Sequence, residues 1–171
     1  MPDGSIVNKT QAGVITLDAL IIGAGFSGLY QLLSLRDKLG LKAKVVEAGD
    51  GVGGTWYWNR YPGARCDSES HSYSYYFDKE LLEEWQWSER YPGHAEVVRY
   101  LNYAADKLDL KRDIHFNSRV LSAHYSQTEN RWIVKTEDGR EFVCTYLITA
   151  VGCLSSTNIP KFPGHESFEG E

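Results

Sequence analysis

Short apolar runs and one helical repeat alternate over the first fifty residues. Residues 17–22 (LDALII) form an apolar run of strand length that stops at the glycine-rich stretch GAGFSG. Residues 29–39 place leucines at helical spacing before Gly40, and residues 44–47 (KVVE) form a second short apolar run. A strand, a glycine-rich turn, a helix and a strand in close succession are typical of a βαβ unit, which predicts a parallel sheet.

Two further helices are predicted in the middle of the chain. The first covers residues 78–85, with Asp78 as its N-cap. The second covers residues 95–108, where the apolar side chains fall on one face.

From residue 114 onward the apolar positions recur with a period of two. This alternation, with a turn at Asp138 and Gly139, predicts a small antiparallel meander. Its strands are expected at residues 119–126, 131–136 and 140–144. A separate apolar run, residues 146–151 (YLITAV), predicts a strand that returns to the parallel sheet.

Composition narrows the classes of function. The 171 residues carry a net charge of −5, which argues against nucleic acid or an anionic membrane as partner. The first residues lack the charged and apolar regions of a signal peptide, and no apolar run has the length of a membrane span. Three cysteines without CxxC spacing indicate a cytoplasmic protein with free thiols, and the histidine spacing predicts no metal site.

The stretch GAGFSG matches the GxGxxG motif of dinucleotide-binding domains, and it lies between a predicted strand and a predicted helix. Gly23 allows the tight turn, Gly25 lets the backbone approach a pyrophosphate, and Gly28 lets the helix pack on the strand. The phosphates are expected at the helix N-terminus, beside Phe26 and Ser27.

Glu47 ends the second predicted strand, where an acid can accept hydrogen bonds from ribose hydroxyls. Its charge would repel a 2′-phosphate, so the site is predicted to take FAD or NAD rather than NADP. A second glycine-rich loop follows at residues 49–54. This loop suits a ligand that extends beyond the adenosine, which favours FAD.

The next stretch, GGTWYWNRYPGARCD at residues 53–67, resembles the [A/G]GxW-x4-[F/Y]P[G/M]-x3-D signature of the Baeyer–Villiger monooxygenases. The resemblance runs from about Leu20 to the last residues, where FEGE is similar to the start of FxGxxxHxxxW, the other fingerprint of that family. It implies an α/β fold: a Rossmann-like FAD-binding domain, with a parallel sheet and a small antiparallel meander, incomplete relative to the two-dinucleotide flavoprotein fold.

The resemblance also implies a reaction. An NADPH-dependent enzyme of this family uses bound FAD and O2 to convert a ketone into an ester or lactone, through a flavin C4a-peroxide. It assigns Asp67 to catalysis, as the carboxylate that holds a peroxide-stabilising arginine; the alternative is a turn-capping aspartate. The other residues that it places at cofactors are Gly54, Thr55, Trp56, Tyr57 and Tyr73 at the flavin, Val120 at the adenine, Arg65 and Cys66 at NADPH, and Ala150 and Gly152 at the end of the returning strand.

Three regions are expected: a flexible leader at residues 1–15, the partial FAD-binding domain at residues 16–152, and a linker at residues 153–171 towards an NADPH-binding domain. On this expectation the chain alone is inactive. Two alternatives stay open. One is a fragment of an N- or S-oxidising flavin monooxygenase, and the other is a non-catalytic dinucleotide-binding module whose exposed aromatic face promotes self-association. Trp58 and Tyr61 are equally compatible with core packing.

Overall fold

The computed structural model describes residues 13–170 and contains one sheet of six strands in the order β3-β2-β1-β6-β5-β4. Strands β3, β2, β1 and β6 are parallel to one another, whereas β5 and β4 continue the sheet antiparallel. The strands are β1 (Ile15–Ile22), β2 (Ala43–Val46), β3 (Ile114–His115), β4 (Val120–Ser126), β5 (Arg131–Thr136) and β6 (Glu141–Thr149). The predicted α/β class and the Rossmann-like sheet are therefore confirmed.

Four α-helices connect the strands: α1 (Phe26–Leu33), α2 (Thr55–Trp58), α3 (Lys79–Glu84) and α4 (His94–Lys107). Helix α1 continues into a π-helical turn, Ser34–Lys38, and reaches Gly40, whose φ of 66° ends it. The predicted N-cap of α3 is present, since Asp78 Oδ1 accepts a hydrogen bond from Leu81 N at 3.0 Å. Neither the one-turn helix α2 nor the two-residue strand β3 was predicted.

The prediction of separate strands at residues 140–144 and 146–151 was wrong, because Glu141–Thr149 form one continuous strand, β6. No turn-forming residue stands between them, and β6 pairs with β1 along its whole length, from Ile15 opposite Phe142 to Ile22 opposite Thr149. The first half of β6 pairs with β5 as well. The meander is thus part of the main sheet and shares a strand with its parallel half.

Apolar side chains cover both faces of the sheet. Ala19, Ile21 and Val45 pack against α1 and α4 on one face. On the other face, Leu20 and Val46 pack with Phe142 and further side chains of β5 and β6. This double burial explains the continuous apolar runs of β1 and β2, which are typical of parallel strands.

The two ends of the described chain differ in structure. Strand β1 already begins at Ile15, inside the expected leader, and residues 1–12 lie outside the described part of the chain. Residues 151–170 are exposed throughout, with a single 3-10 turn, His165–Ser167. Among the described residues, no helix has both the length and the apolar character to cross a membrane, and no group of side chains could hold a metal ion.

Candidate cofactor-binding site

A cavity of about 700 Å³ opens where β1, β2 and β6 end. Ligands of open α/β sheets bind at the carboxyl ends of the strands, and cofactor sites occupy about 300–1,000 Å³. The residues of this lining that were predicted to bind cofactor are Gly23, Gly25, Glu47, Gly54, Thr55, Val120 and Ala150.

The GxGxxG turn has the backbone geometry that each predicted glycine role requires. Gly23 has a φ of 104°, and its N–H donates to Val46 O at 2.9 Å, which ties the turn to β2. A Cβ at Gly28 would lie 1.8 Å from Gly23 O, so α1 packs directly on the turn. Helix α1 begins after Gly25 without a side-chain cap, which leaves its first N–H groups for an anionic ligand.

The two glycine-rich loops touch each other beneath the cavity. Gly53 N donates to Ala24 O at 3.0 Å, and a Cβ at Gly54 would lie 2.8 Å from the Cα of Gly25. Gly54 also has a φ of 53°, which an L side chain rarely adopts. The contact therefore requires glycine in both loops, and it leaves a floor made of backbone.

Glu47 is 4% exposed and holds both loops from the end of β2. Its Oε2 accepts from Ala24 N at 2.7 Å, and its Oε1 accepts from Gly49 N at 2.8 Å. Each carboxylate oxygen can accept a further hydrogen bond, so the predicted contact with ribose is compatible with this arrangement. The structure adds a role that the motif alone did not predict, which is to fix the two loops to each other.

The segment before β4 forms another wall of the cavity. Ser118 N donates to Glu47 O at 2.8 Å, and its hydroxyl donates to Asp138 Oδ2 at 2.8 Å. Arg140 Nη1 in turn donates to the Ser118 hydroxyl at 2.7 Å. The turn between β5 and β6 thus holds the backbone that leads into Val120, the predicted adenine contact.

Three aromatic residues form a cluster outside the cavity lining. The Trp56 Nε1–H donates to the Tyr73 hydroxyl at 3.1 Å, and the rings of Phe26 and Tyr73 meet edge-on with centroids 4.9 Å apart. Burial raises the pKa of Tyr73, while the hydrogen bond from Trp56 lowers it in part. The Tyr73 hydroxyl is therefore protonated at neutral pH and remains able to donate.

The remaining aromatic residues of the signature occupy other places. The Tyr57 ring packs on Gly49 and Gly51, and its hydroxyl donates to Asp50 Oδ1 at 2.5 Å. Trp58 lines the cavity and is 52% exposed, and Tyr61 is 62% exposed. These exposures exclude core packing for both residues in the described structure.

Asp67 lies on an exposed part of a backbone-paired ribbon. Segments 64–70 and 90–94, which we call the signature ribbon, are joined by an antiparallel bridge between Arg65 and Gly93. Within the described part of the chain, the Asp67 carboxylate makes no hydrogen bond or ion pair, and it does not line the cavity. The Asp67 side chain is thus available to a group from elsewhere.

The neighbours of Asp67 in the signature differ in exposure. Arg65 is exposed and contacts the Glu89 carboxylate and the Tyr91 carbonyl oxygen. Cys66 is buried, and this burial raises the pKa of its thiol. Besides these signature residues, seven predicted residues do not line the cavity: Phe26, Ser27, Gly28, Trp56, Tyr57, Tyr73 and Gly152.

Several lining residues were missed by the sequence analysis. Ala24 supplies a backbone N–H inside the motif, and Asn59 follows α2. Ser118 directly precedes the strand predicted at residues 119–126, and Arg119 is its first residue. Their closeness to Val120, the predicted adenine contact, was the signal for that wall. Further lining residues come from the exposed tail: Val151, Leu154, Ser155 and Thr157.

Comparison with known proteins gives matches over nearly the whole chain. Residues 21–84 match the NAD(P)-binding Rossmann-like domain family. Acetone monooxygenase (methyl acetate-forming) of Gordonia sp. strain TY-5 is 49% identical over 91% of this chain and 29% of its own length. A Baeyer–Villiger monooxygenase of Pseudooceanicola batsensis is 47% identical over 90% of this chain and 28% of its own. Phenazine N-monooxygenase of Lysobacter antibioticus is 45% identical, with the same coverage.

Solved structures agree with the sequence matches. The closed crystal structure of cyclohexanone monooxygenase superposes with a TM-score of 0.85 at 45% identity, over 93% of this chain and 30% of that one. OTEMO, solved in complex with FAD and NADP, gives a TM-score of 0.80 at 44% identity, over 91% and 29% of the two chains. The chain spans less than a third of the length of these relatives. Over about nine tenths of its length, the chain is thus similar in sequence to a Baeyer–Villiger monooxygenase and in fold to cyclohexanone monooxygenase.

Proposed function

We propose that this chain is the FAD-binding part of an NADPH-dependent Baeyer–Villiger monooxygenase that inserts one oxygen atom of O2 into a ketone. The observation that carries the proposal is the contact of two glycine-rich loops under Glu47 at the strand ends. A Cβ at Gly23 would lie 2.6 Å from Ala150 O. This part of the cavity wall is therefore made of backbone, and a side chain at Gly23 would not fit. These residues fit a dinucleotide with an extended second half.

Different residues of the cavity would bind different parts of FAD. Gly23 and Gly25 offer backbone and the α1 N-terminus to the pyrophosphate, and Glu47 accepts from the ribose hydroxyls. Val120 lines the cavity on the wall held by Ser118, which supports the proposed contact with the adenine. When bound, FAD supplies the transfer of electrons from NADPH to O2. The family assignment of Gly54, Thr55, Trp56, Tyr57 and Tyr73 to the flavin side, and of Ala150 and Gly152 to the strand end, belongs to the same proposal.

Asp67 is proposed to orient a cationic side chain near the flavin. Its exposed carboxylate, without a partner among the described residues, supports this role, because an ionised carboxylate pairs well with a guanidinium. Arg65 and Cys66 are adjacent on the signature ribbon, and we propose that NADPH approaches along this side. NADP in the OTEMO complex supports the choice of cosubstrate.

The binding claim is tested by titrating the apoprotein with FAD and with FMN. FAD is expected to bind about a hundredfold tighter, since the described contacts fall around the adenosine and pyrophosphate that FMN lacks. ADP is expected to compete with FAD. Equal affinity for FMN, or no bound flavin at all, would exclude the proposed site.

The reaction claim is tested in the longest natural form of the protein, loaded with FAD. NADPH oxidation in the presence of acetone or cyclohexanone is expected to yield the corresponding ester or lactone. N-oxidation is the second candidate, because phenazine N-monooxygenase is nearly as similar as the ketone enzymes. An N-oxide from phenazine, with no product from either ketone, would favour this candidate.

A further inference from the structure

The signature ribbon is held together mainly through its backbone. Cys66 N donates to Pro92 O at 2.9 Å, and Ser70 N donates to Arg90 O at 2.7 Å, on either side of Asp67. Because the Asp67 side chain has no partner among the described residues, its position is determined by this backbone pairing. Whatever fixes the second segment of the ribbon therefore also fixes Asp67.

Glu96 fixes that second segment from the first turn of α4. Its Oε1 accepts from Ser88 N and its Oε2 from the Ser88 hydroxyl, both at 2.8 Å. Glu96 is only 7% exposed, so both bonds are shielded from competing water. Helix α4 is itself anchored in the core through Val97 and Leu101. Glu96 thus connects the core to Ser88, which lies two residues before the second segment of the ribbon.

Other contacts constrain the position of the second segment, residues 90–94, less strongly. The ion pairs of Arg90 with Glu69 and of Arg65 with Glu89 lie at the surface. Exposed pairs contribute about 0–1 kcal/mol each, because solvent screens them. A buried carboxylate with two hydrogen bonds is the stronger constraint.

We propose that Glu96 is a positioning residue for Asp67. Its two hydrogen bonds to Ser88 keep residues 90–94 in register with residues 64–70. This register determines the position of the Asp67 carboxylate. The inference rests on the proposed function, in which Asp67 orients a cation near the flavin. It assigns a positioning role at the same site to a residue of α4, outside the signature.

The structural part is tested by hydrogen–deuterium exchange of the flavin-loaded protein. In Glu96→Ala, the amides of Cys66 and Ser70 are expected to exchange about tenfold faster, because pairing of the ribbon opens more often. Ser88→Ala removes only the hydroxyl donor and is expected to give about a threefold increase. Arg99→Ala, at an exposed position of the same helix, is the matched control and should leave both rates unchanged.

Wild-type exchange rates at Cys66 and Ser70 in Glu96→Ala would overturn the proposal. If that variant fails to fold, unchanged rates in Ser88→Ala overturn it instead. Uniform acceleration that includes the amides of β1 would also count against it, since this would mark general destabilisation. The amides of β1 are therefore measured in every variant.

The functional part is a double-mutant cycle on product formed per NADPH oxidised. Glu96→Ala is expected to lower this yield about threefold in the wild-type background, and to cause no further loss in Asp67→Ala, because both changes act through one carboxylate. Independent losses that multiply would overturn the positioning role. A wild-type protein that binds no FAD overturns the proposed function itself, whereas a flavin-loaded protein with unchanged ribbon exchange overturns only the role of Glu96.

Discussion

At Gly28 the absence of a side chain is a packing requirement. Gly28→Ala would place a Cβ 1.8 Å from Gly23 O, a backbone atom that cannot rotate away. We expect the free energy of unfolding to fall by about 1–3 kcal/mol, because the turn or α1 must shift. The same shift is expected to weaken FAD binding about tenfold. Denaturant unfolding and a flavin titration measure the two effects.

Gly13→Ala is the control for this substitution, since nothing lies within 4 Å of a Cβ at that position. It is expected to leave both quantities at their wild-type values. A stable Gly28→Ala protein with normal flavin affinity would contradict the close approach of helix and turn.

Sequence reasoning at the residue scale identified the positions of the motif but not all of their contacts. The roles of Gly23 and Gly28 follow from spacing alone, because the motif specifies the turn. The spacing did not show that Glu47 bonds Ala24 and Gly49, since those partners come from loops whose approach depends on the tertiary fold. The exposure of Asp67 could not be predicted for the same reason, because it depends on the pairing of residues 64–70 with the distant residues 90–94.

Helix α3 is short, so its cap contributes a large share of its stability. Asp78→Ala removes the acceptor for Leu81 N and is expected to lower the free energy of unfolding by about 1 kcal/mol. Asp78→Ser keeps an acceptor and is expected to stay close to the wild type. Thermal unfolding of the three proteins provides the comparison, and equal stability of Asp78→Ala would exclude the cap as a stabilising contact.

The junction of the π-helical turn with β2 predicts a dependence on pH. Asp113 accepts from Lys44 Nζ at 2.6 Å and from Arg36 Nη1 at 3.0 Å. Burial alone would raise the pKa of Asp113, but the hydrogen bonds from Lys44 and Arg36 outweigh it and lower that pKa. The stabilisation is therefore present above the ordinary pKa of about 3.9 and is lost as the pH falls through the lower, folded value.

Asp113→Asn is expected to reduce the free energy of unfolding by about 1–3 kcal/mol at neutral pH, and by progressively less below about pH 4. Urea unfolding across this pH range measures the difference. Glu83→Gln, which breaks an exposed pair with Lys79, is the control and should change little at any pH. A difference that stayed constant down to pH 2 would contradict the assigned charge interaction.

At the scale of elements, the helices α1, α3 and α4 and most strands could be predicted because each carries its own period. Strand β3 has two residues, too few for a pattern, and it exists because it pairs with β2. The π-helical turn is unpredictable for a similar reason: Arg36 reaches Asp113 and the carbonyl groups of Leu108 and Asp109 at the end of α4. These elements depend on tertiary contacts rather than on local sequence.

For the whole molecule, the shared strand β6 predicts a single unfolding transition. The antiparallel half cannot separate from the parallel half without losing pairs with β1 or β5. We expect the amides of β5 and β1 to show the same free energy of global opening in hydrogen exchange. Lower protection throughout β4 and β5 would show instead that the meander unfolds as an independent unit.

The same strand has a consequence for biosynthesis. Strand β1 leaves the ribosome long before its neighbour β6, because Ile22 pairs with Thr149 and most of the described chain lies between them. Contacts so distant in sequence form late, because a long loop must close first. The glycine turn on β1 is therefore translated long before Ala150 completes the cavity around it. We therefore expect the cofactor to bind only after β6, the last in sequence of the six described strands, has joined the sheet.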